Sequence, residues 1–197
     1  MDVRLQNNID GTLAGVTPDN HLKVAGRTIV ERDAEALAEN SYSVNTGLIT
    51  LTSANESSVF YYKNTDTVNH VISRFTVFLG TSTGGSGDWT ITVRRNPIGG
   101  TIVSGASAVA INQNNHFGSN NALSATIYKG AEGNTLTNGD DLAIFGATES
   151  GRNSFALTYT VLSPGSSIGL KITPPTGNTS AKVYVALEPV FRITLSN

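Results

Sequence analysis

The strongest constraint on this chain is a hydrophobic period of two. In "WTITVRR", Trp89, Ile91 and Val93 share one side, and Thr90, Thr92 and Arg94 the other. "SIGLKIT" sets Ile168, Leu170 and Ile172 against Gly169, Lys171 and Thr173, and "AKVYVAL" sets Val183, Val185 and Leu187 against Lys182, Tyr184 and Ala186. "HVISRFTVFLG" reads as Val71, Ser73, Phe75, Val77 and Leu79 alternating with Ile72, Arg74, Thr76 and Phe78. "SFALTYTVL" reads as Phe155, Leu157, Tyr159 and Val161 against Ala156, Thr158 and Thr160. Such alternation describes half-buried strands with one face on a core. "LITLT", "SVFYYK", "TIVSG", "SAVAIN" and "LSATIYK" are further strand candidates.

Turn chemistry separates these runs: "STGGSGD", "RNPIGG", "NQNNHFGSNN", "GAEGNTLTNGDD", "TESGRN", "SPGS" and "TPPTGNTS". Roughly eight to eleven strands at such spacing predict an all-β fold, an antiparallel β-sandwich of jelly-roll type. No helix-length segments lie between the strands, which disfavours a parallel sheet. Residues 1–40 read differently, as an extended N-terminal arm with sparse apolar residues and the turn signals "NNIDG" and "TPDN". "ERDAEALAE", residues 31–39, is the one helix-friendly stretch and predicts at most one short helix. Residues 41–197 then form a single sandwich domain.

Composition narrows the function. Charged residues make up 14% of the chain, against about 25% in an ordinary soluble domain. Ser, Thr, Asn and Gly take their place, which suits turns and strand faces. The net charge of −2 lacks the basic footprint of a nucleic-acid binder. There is no Cys, hence no disulfide framework or thiolate chemistry. No signal peptide or transmembrane run is read, so synthesis in a cytoplasm and no membrane partner are expected. Asn55 and Asn178 fit the N-x-[ST] acceptor pattern, which carries meaning only for a secreted chain.

Each candidate for chemistry has a plainer reading beside it. Gly165-Ser166-Ser167-Ile168-Gly169 matches G-x-S-x-G, in which Ser167 would be a nucleophile on a strand–turn–helix elbow. Here Pro164-Gly165 is a turn and a strand pattern follows, so Ser167 reads as the start of a strand. Gly80-Thr81-Ser82-Thr83-Gly84 is a second match, within a glycine-rich loop. His21, His70 and His116 lack the i, i+4 spacing of a zinc helix and read as solvated or hydrogen-bonded side chains. Phe117, beside His116 in an Asn-rich loop, could instead stack on a carbohydrate. Asp140, Asp141 and Glu149 lack the order of a calcium loop and read as a turn. Arg94 and Arg95 read as a solvated face. No catalytic, metal or cofactor-binding residue is assigned, no cofactor is expected, and the chain reads as no enzyme.

"TLAGVTPDNHLKVAG", residues 12–26, resembles the arm that opens many virion structural proteins of tailed bacteriophages, where a V-x-x-x-N-x-L-x-V unit precedes a β-sandwich. The matching positions are Val16, Asn20, Leu22 and Val24. "YSVNTGLITLTSANESSVFYYKNTDTVNHVISRFTVFLG" and "FALTYTVLSPGSSIGLKITPPTGNTSAKVYVALEPVF" are similar to the opening and closing strands of such sandwiches. The resemblance implies a capsid decoration, or cement, protein on the outside of the virion. It would bind the major capsid protein, with the arm docked on a neighbouring subunit, as a homo-oligomer, dimer or trimer. The alternative is a head-fibre, tail or receptor-binding protein that recognises a host surface glycan. The resemblance carries no site residue.

Overall fold

The structure, a computed structural model, describes residues 15–16, 22–23, 36–104, 111–148, 151–155 and 160–193. β1 (Gly15–Val16) and β2 (Leu22–Lys23) form a small antiparallel pair. The expected helix lies mostly outside the described residues. Over 36–39 the chain makes one turn, closed by the Glu39 N–H to the Ala36 carbonyl at 3.1 Å.

Twelve strands follow: β3 (Ser41–Leu51), β4 (Ser57–Asn64), β5 (Asn69–Ile72), β6 (Phe75–Leu79), β7 (Trp89–Arg95), β8 (Ile111–Asn114), β9 (Ala125–Lys129), β10 (Asp140–Ala147), β11 (Gly151–Phe155), β12 (Thr160–Leu162), β13 (Ser167–Thr173) and β14 (Ala181–Ile193). The first sheet runs β8-β3-β14-β6-β11, with β5 and β12 continuing the lines of β6 and β11. The second runs β9-β4-β13-β7-β10. All pairings are antiparallel. The chain crosses between sheets at β3→β4, β4→β5, β6→β7, β7→β8, β8→β9, β10→β11, β12→β13 and β13→β14. With β5/β6 and β11/β12 taken as interrupted strands, this is the eight-strand jelly roll. β8 and β9 come from the segment 96–139 and extend one edge of each sheet.

The alternating residues meet between the sheets. Val183, Val185 and Leu187 face Trp89, Ile91, Val93, Ile168, Leu170 and Ile172, all fully or almost fully buried. Phe60 of β4 meets Phe75 of β6 edge-on, with ring centroids 6.1 Å apart. A smaller cluster closes the outside of the second sheet, where Ile102 and Leu136 cover Tyr61, and Tyr61 stacks on Tyr128. Burial on both faces explains why Val59, Phe60, Tyr61 and Tyr62 form an unbroken apolar run in β4.

The structure corrects three sequence expectations. "HVISRFTVFLG" is not one alternating set. Ile72 points inward, and so do Phe75, Val77 and Leu79, because the chain breaks at Ser73 and Arg74. There Ser73 N–H bonds to the Pro189 carbonyl and Glu188 N–H to the Arg74 carbonyl. In β12 it is Leu162 that is buried while Val161 is exposed, reversing the expected phase; residues 156–159 lie outside the described residues. "TIVSG" forms turns over 101–104 instead of a strand, although Ile102 is buried as an anchor of the outer cluster.

Candidate functional site

The candidate nucleophiles are structural donors. Pro164 and Gly165 form the corner of a turn closed by Ser166 N–H to the Ser163 carbonyl at 2.9 Å, with Gly165 at φ +83°. This is a type II arrangement, which needs glycine at that corner. Strand β13 follows at once, so the helix of a nucleophile elbow is missing. The buried Ser167 hydroxyl donates to the Pro97 carbonyl at 2.8 Å, and Asn96 Oδ1 accepts the Ser167 N–H at 3.1 Å. Ser82 donates to Asn178 Oδ1 at 2.7 Å. Asn178 itself is buried and donates to the Leu51 and Ser53 carbonyls, so its amide nitrogen is committed to the fold.

The charged candidates also find partners. Asp140 and Asp141 stand opposite Arg95 and Arg94 in the β10–β7 ladder, with N···O distances of 3.4 and 3.2 Å. The sequence separates these four residues into two unrelated groups; the register joins them. His116 Nδ1 lies 3.3 Å from Glu39 Oε1, and Ser119 and Asn121 donate to Glu39 Oε2. The loop 114–121 thus grips the residue just ahead of β3. Phe117 in that loop is 101% exposed. His21 and Glu149 lie outside the described residues. Among the described residues no three His, Cys, Asp or Glu side chains come together as a metal site.

His70, expected as a solvated or hydrogen-bonded side chain, is hydrogen-bonded inside a buried polar chain. Its Nδ1 is 2.6 Å from the Tyr62 hydroxyl and its Nε2 is 3.4 Å from Asp66 Oδ2. Arg192 Nε donates to the same Asp66 oxygen at 2.6 Å. The Arg192 bond holds the Asp66 carboxyl down at about 2, below its ordinary 3.8. Burial pushes His70 below its ordinary value and Tyr62 well above.

The surface best formed for contact is the outside of the first sheet. Leu48 of β3, Tyr184 of β14 and Phe78 of β6 are register partners in one row across three adjacent strands. Leu48 is 61% exposed and Phe78 43%. Leu48 is turned outward by an irregularity. In β3, Tyr42 and Val44 point inward; a bulge at Thr46–Gly47 then shifts the phase, so Ile49 and Leu51 point inward and Leu48 outward. Gly47 adopts φ +62°, and the Thr46 hydroxyl accepts the Val185 N–H at 3.0 Å, which fixes the bulge. Bulges commonly re-aim side chains in this way. In β6 Phe78 faces outward by regular alternation with Phe75, Val77 and Leu79. The row borders a groove of about 440 Å³ lined also by Thr76, Ala186 and Glu188. Thr76 is 4% exposed, and its hydroxyl has no hydrogen-bond partner among the described residues. A scan for large apolar residues in the outward phase finds Tyr184 and Phe78 directly, since Phe78 alternates with Phe75, Val77 and Leu79; Leu48 requires the bulge to be known.

Fold and surface together define a jelly-roll β-sandwich whose second sheet is covered by its own chain and whose first sheet exposes Leu48 and Phe78 on its outer face. No family model matches the chain, and no curated protein sequence matches it. Among solved structures, the chain is similar to the T13 particle of infectious bursal disease virus, at 14% identity and a TM-score of 0.33, covering 78% of this chain and 35% of that one. It is also similar to the honeybee pathogen deformed wing virus, at 9% identity and a TM-score of 0.39, covering 98% and 58%. A third likeness is to tomato aspermy virus, at 12% identity and a TM-score of 0.28, covering 88% and 85%. The chain spans only about a third and a little over half of the length of the first two proteins.

Proposed function

We propose that this chain is a structural virion protein that decorates a bacteriophage capsid, binding the major capsid protein lattice from outside. The observation that carries the proposal is the exposed Leu48 and Phe78 on either side of Tyr184, one of them turned outward by the β3 bulge, beside a groove. Exposed Leu48 and Phe78 side chains in the middle of a sheet face suit contact with another surface. Completing the burial of Leu48 and Phe78 would contribute about 1 kcal/mol each on the usual area scale. The unpartnered Thr76 hydroxyl adds a point of polar recognition within the same groove. The resemblance of residues 12–26 to a virion arm supports the same reading, with the arm as a second tether between subunits of a homo-oligomer. A protein that binds only the assembled lattice raises the stability of the lattice by mass action.

The test is co-sedimentation of purified protein with undecorated heads, together with calorimetry of the heads. Wild-type protein should pellet with heads and raise their melting temperature. The Leu48→Lys, Phe78→Lys double variant should keep its own melting curve and lose both effects. Wild-type protein that neither pellets nor shifts the melt would refute the proposal.

Phe117 favours a second reading. A fully exposed aromatic ring in a loop with Asn115 and Asn121 suits stacking on a sugar face. In that case a glycan array should give hits that Phe117→Ala removes, while head binding stays absent.

A further inference from the structure

The polar chain of Tyr62, His70, Asp66 and Arg192 joins elements of both sheets at one end of the sandwich. Tyr62 belongs to β4, Asp66 to the β4–β5 loop, His70 to β5 and Arg192 to β14. The same end is where β3 begins, because Arg192 N–H bonds to the Asn40 carbonyl at 2.9 Å. Asn64 reinforces the loop, donating to the Val68 and Leu162 carbonyls at 2.9 and 2.8 Å and accepting the Asp66 N–H at 2.8 Å. His70 has no exposed surface, and the Asp66 side chain is 7% exposed. A fully satisfied buried network of this kind rigidifies its surroundings.

The hydrogen-bond directions leave little room for another proton. Asp66 is ionised beside Arg192 and can only accept, so His70 Nε2 carries the imidazole hydrogen. Nδ1 is then the acceptor, and the Tyr62 hydroxyl donates to it. Adding a proton at Nδ1 forces the Tyr62 hydrogen to turn away, and that hydroxyl has no other acceptor among the described residues. It also places a cation in the interior next to Arg192, whose charge already answers that of Asp66. Tyr42 of β3, which faces Arg192, brings a phenol and not a carboxylate. Among the described residues Asp66 is the one anion facing His70, and it is shared.

We propose that these four residues form an acid-operated latch, in which a proton taken up by His70 releases the β5 and β14 ends from one another. The two strands meet there through Val190↔Ile72, Phe191↔Val71, Arg192↔His70 and Ile193↔Asn69. Opening the latch loosens that ladder and the bond from Arg192 to Asn40, while the centre of the sandwich stays closed. It gives the protein a local response to mild acid that is separate from its contact row.

Hydrogen exchange of the full chain, read as protection factors across a pH series, tests the latch. The amides of residues 70–72 and 190–193 should lose protection by up to about tenfold per pH unit as pH falls below the ordinary 6.5 of histidine and until the closed-state His70 is itself protonated, the slope of a one-proton linkage. The amides of Ile91, Val93 and Leu170 should hold theirs. His70→Gln keeps an acceptor and a donor but no titrating group, and should flatten the dependence. A flat wild-type profile, or an equal slope in His70→Gln, overturns the proposal. Should His70→Gln fail to fold, Tyr62→Phe gives the second arm. Loss of the donor to neutral imidazole should move the His70 midpoint, followed by NMR, to higher pH. An unmoved midpoint overturns the latch equally.

Discussion

A methyl group of Leu136 fills the space that a Cβ on Gly169 would occupy. Through this contact the segment 96–139 closes over the outside of the second sheet, with Tyr61 and Ile102 around it. Gly130 makes a closer approach of another kind, since a Cβ there would run into the carbonyl group of Ser58 and the Cα of Val59. The two glycines should respond differently to the same change. Leu136 is the flexible end of a side chain and can move, so Gly169→Ala should cost about 1 kcal/mol. Gly130→Ala must displace a paired strand backbone and should cost about 3 kcal/mol, the upper range for overpacking. Urea unfolding of both variants checks the order; equal losses would mean that β4 yields as easily as Leu136.

Ser167 should behave as a buried donor. Ser167→Ala leaves the Pro97 carbonyl without its partner and should lower stability by about 1–2 kcal/mol, a larger effect than its exposed-looking "SPGSS" setting suggests. Ile168→Asp, one residue on, places a carboxylate in the core and should prevent folding at neutral pH. Circular dichroism melts distinguish the two, and unchanged stability in Ser167→Ala would argue against the Pro97 bond.

Acid should weaken the fold through Asp66. Its carboxyl is held at about 2 in the folded chain against an ordinary 3.8, mainly by the Arg192 bond. The stability from this group is therefore present above 3.8 and is lost as pH falls towards 2. His70, also lowered, acts in the same direction, with loss beginning below its ordinary 6.5. Asp66→Asn should cost about 2 kcal/mol at pH 7, the scale of a charged hydrogen bond, and should flatten the decline between pH 4 and 2. Denaturation midpoints of wild type and variant at several pH values provide the measurement.

Thr76 separates folding from docking. Its hydroxyl is buried without a partner, so Thr76→Val removes an unsatisfied group while keeping the shape. Thermal stability should be unchanged or should rise by about 1 kcal/mol. Binding to heads should weaken several-fold if that hydroxyl meets a partner group. A variant that binds as tightly as wild type would leave the hydroxyl outside the contact.

Much of the fold was legible because alternation survives wherever a strand is regular. Trp89 to Val93, Ile168 to Ile172 and Val183 to Leu187 all face inward as their period requires. The contact row was legible only in part, for the same physical reason. Phe78 follows the alternation of β6, but Leu48 owes its outward direction to a bulge with no signature stronger than "NTG". Pairings between distant segments were also hidden. Nothing local in "WTITVRR" tells that Arg94 and Arg95 will face Asp141 and Asp140, or that His70 will lie against Tyr62 and, through Asp66, Arg192.

β14 lies between β3 on one side and β5 and β6 on the other, so the first sheet is held together by its latest strand in chain order. During synthesis β3 and β6 therefore wait, with apolar faces unpaired, until residue 193 has left the ribosome. Such non-local closure is slow and leaves strand edges open to wrong partners. The small number of charged residues offers those edges little protection. Production of this protein should thus be limited by how long the nascent chain must be shielded, more than by the stability of the finished sandwich.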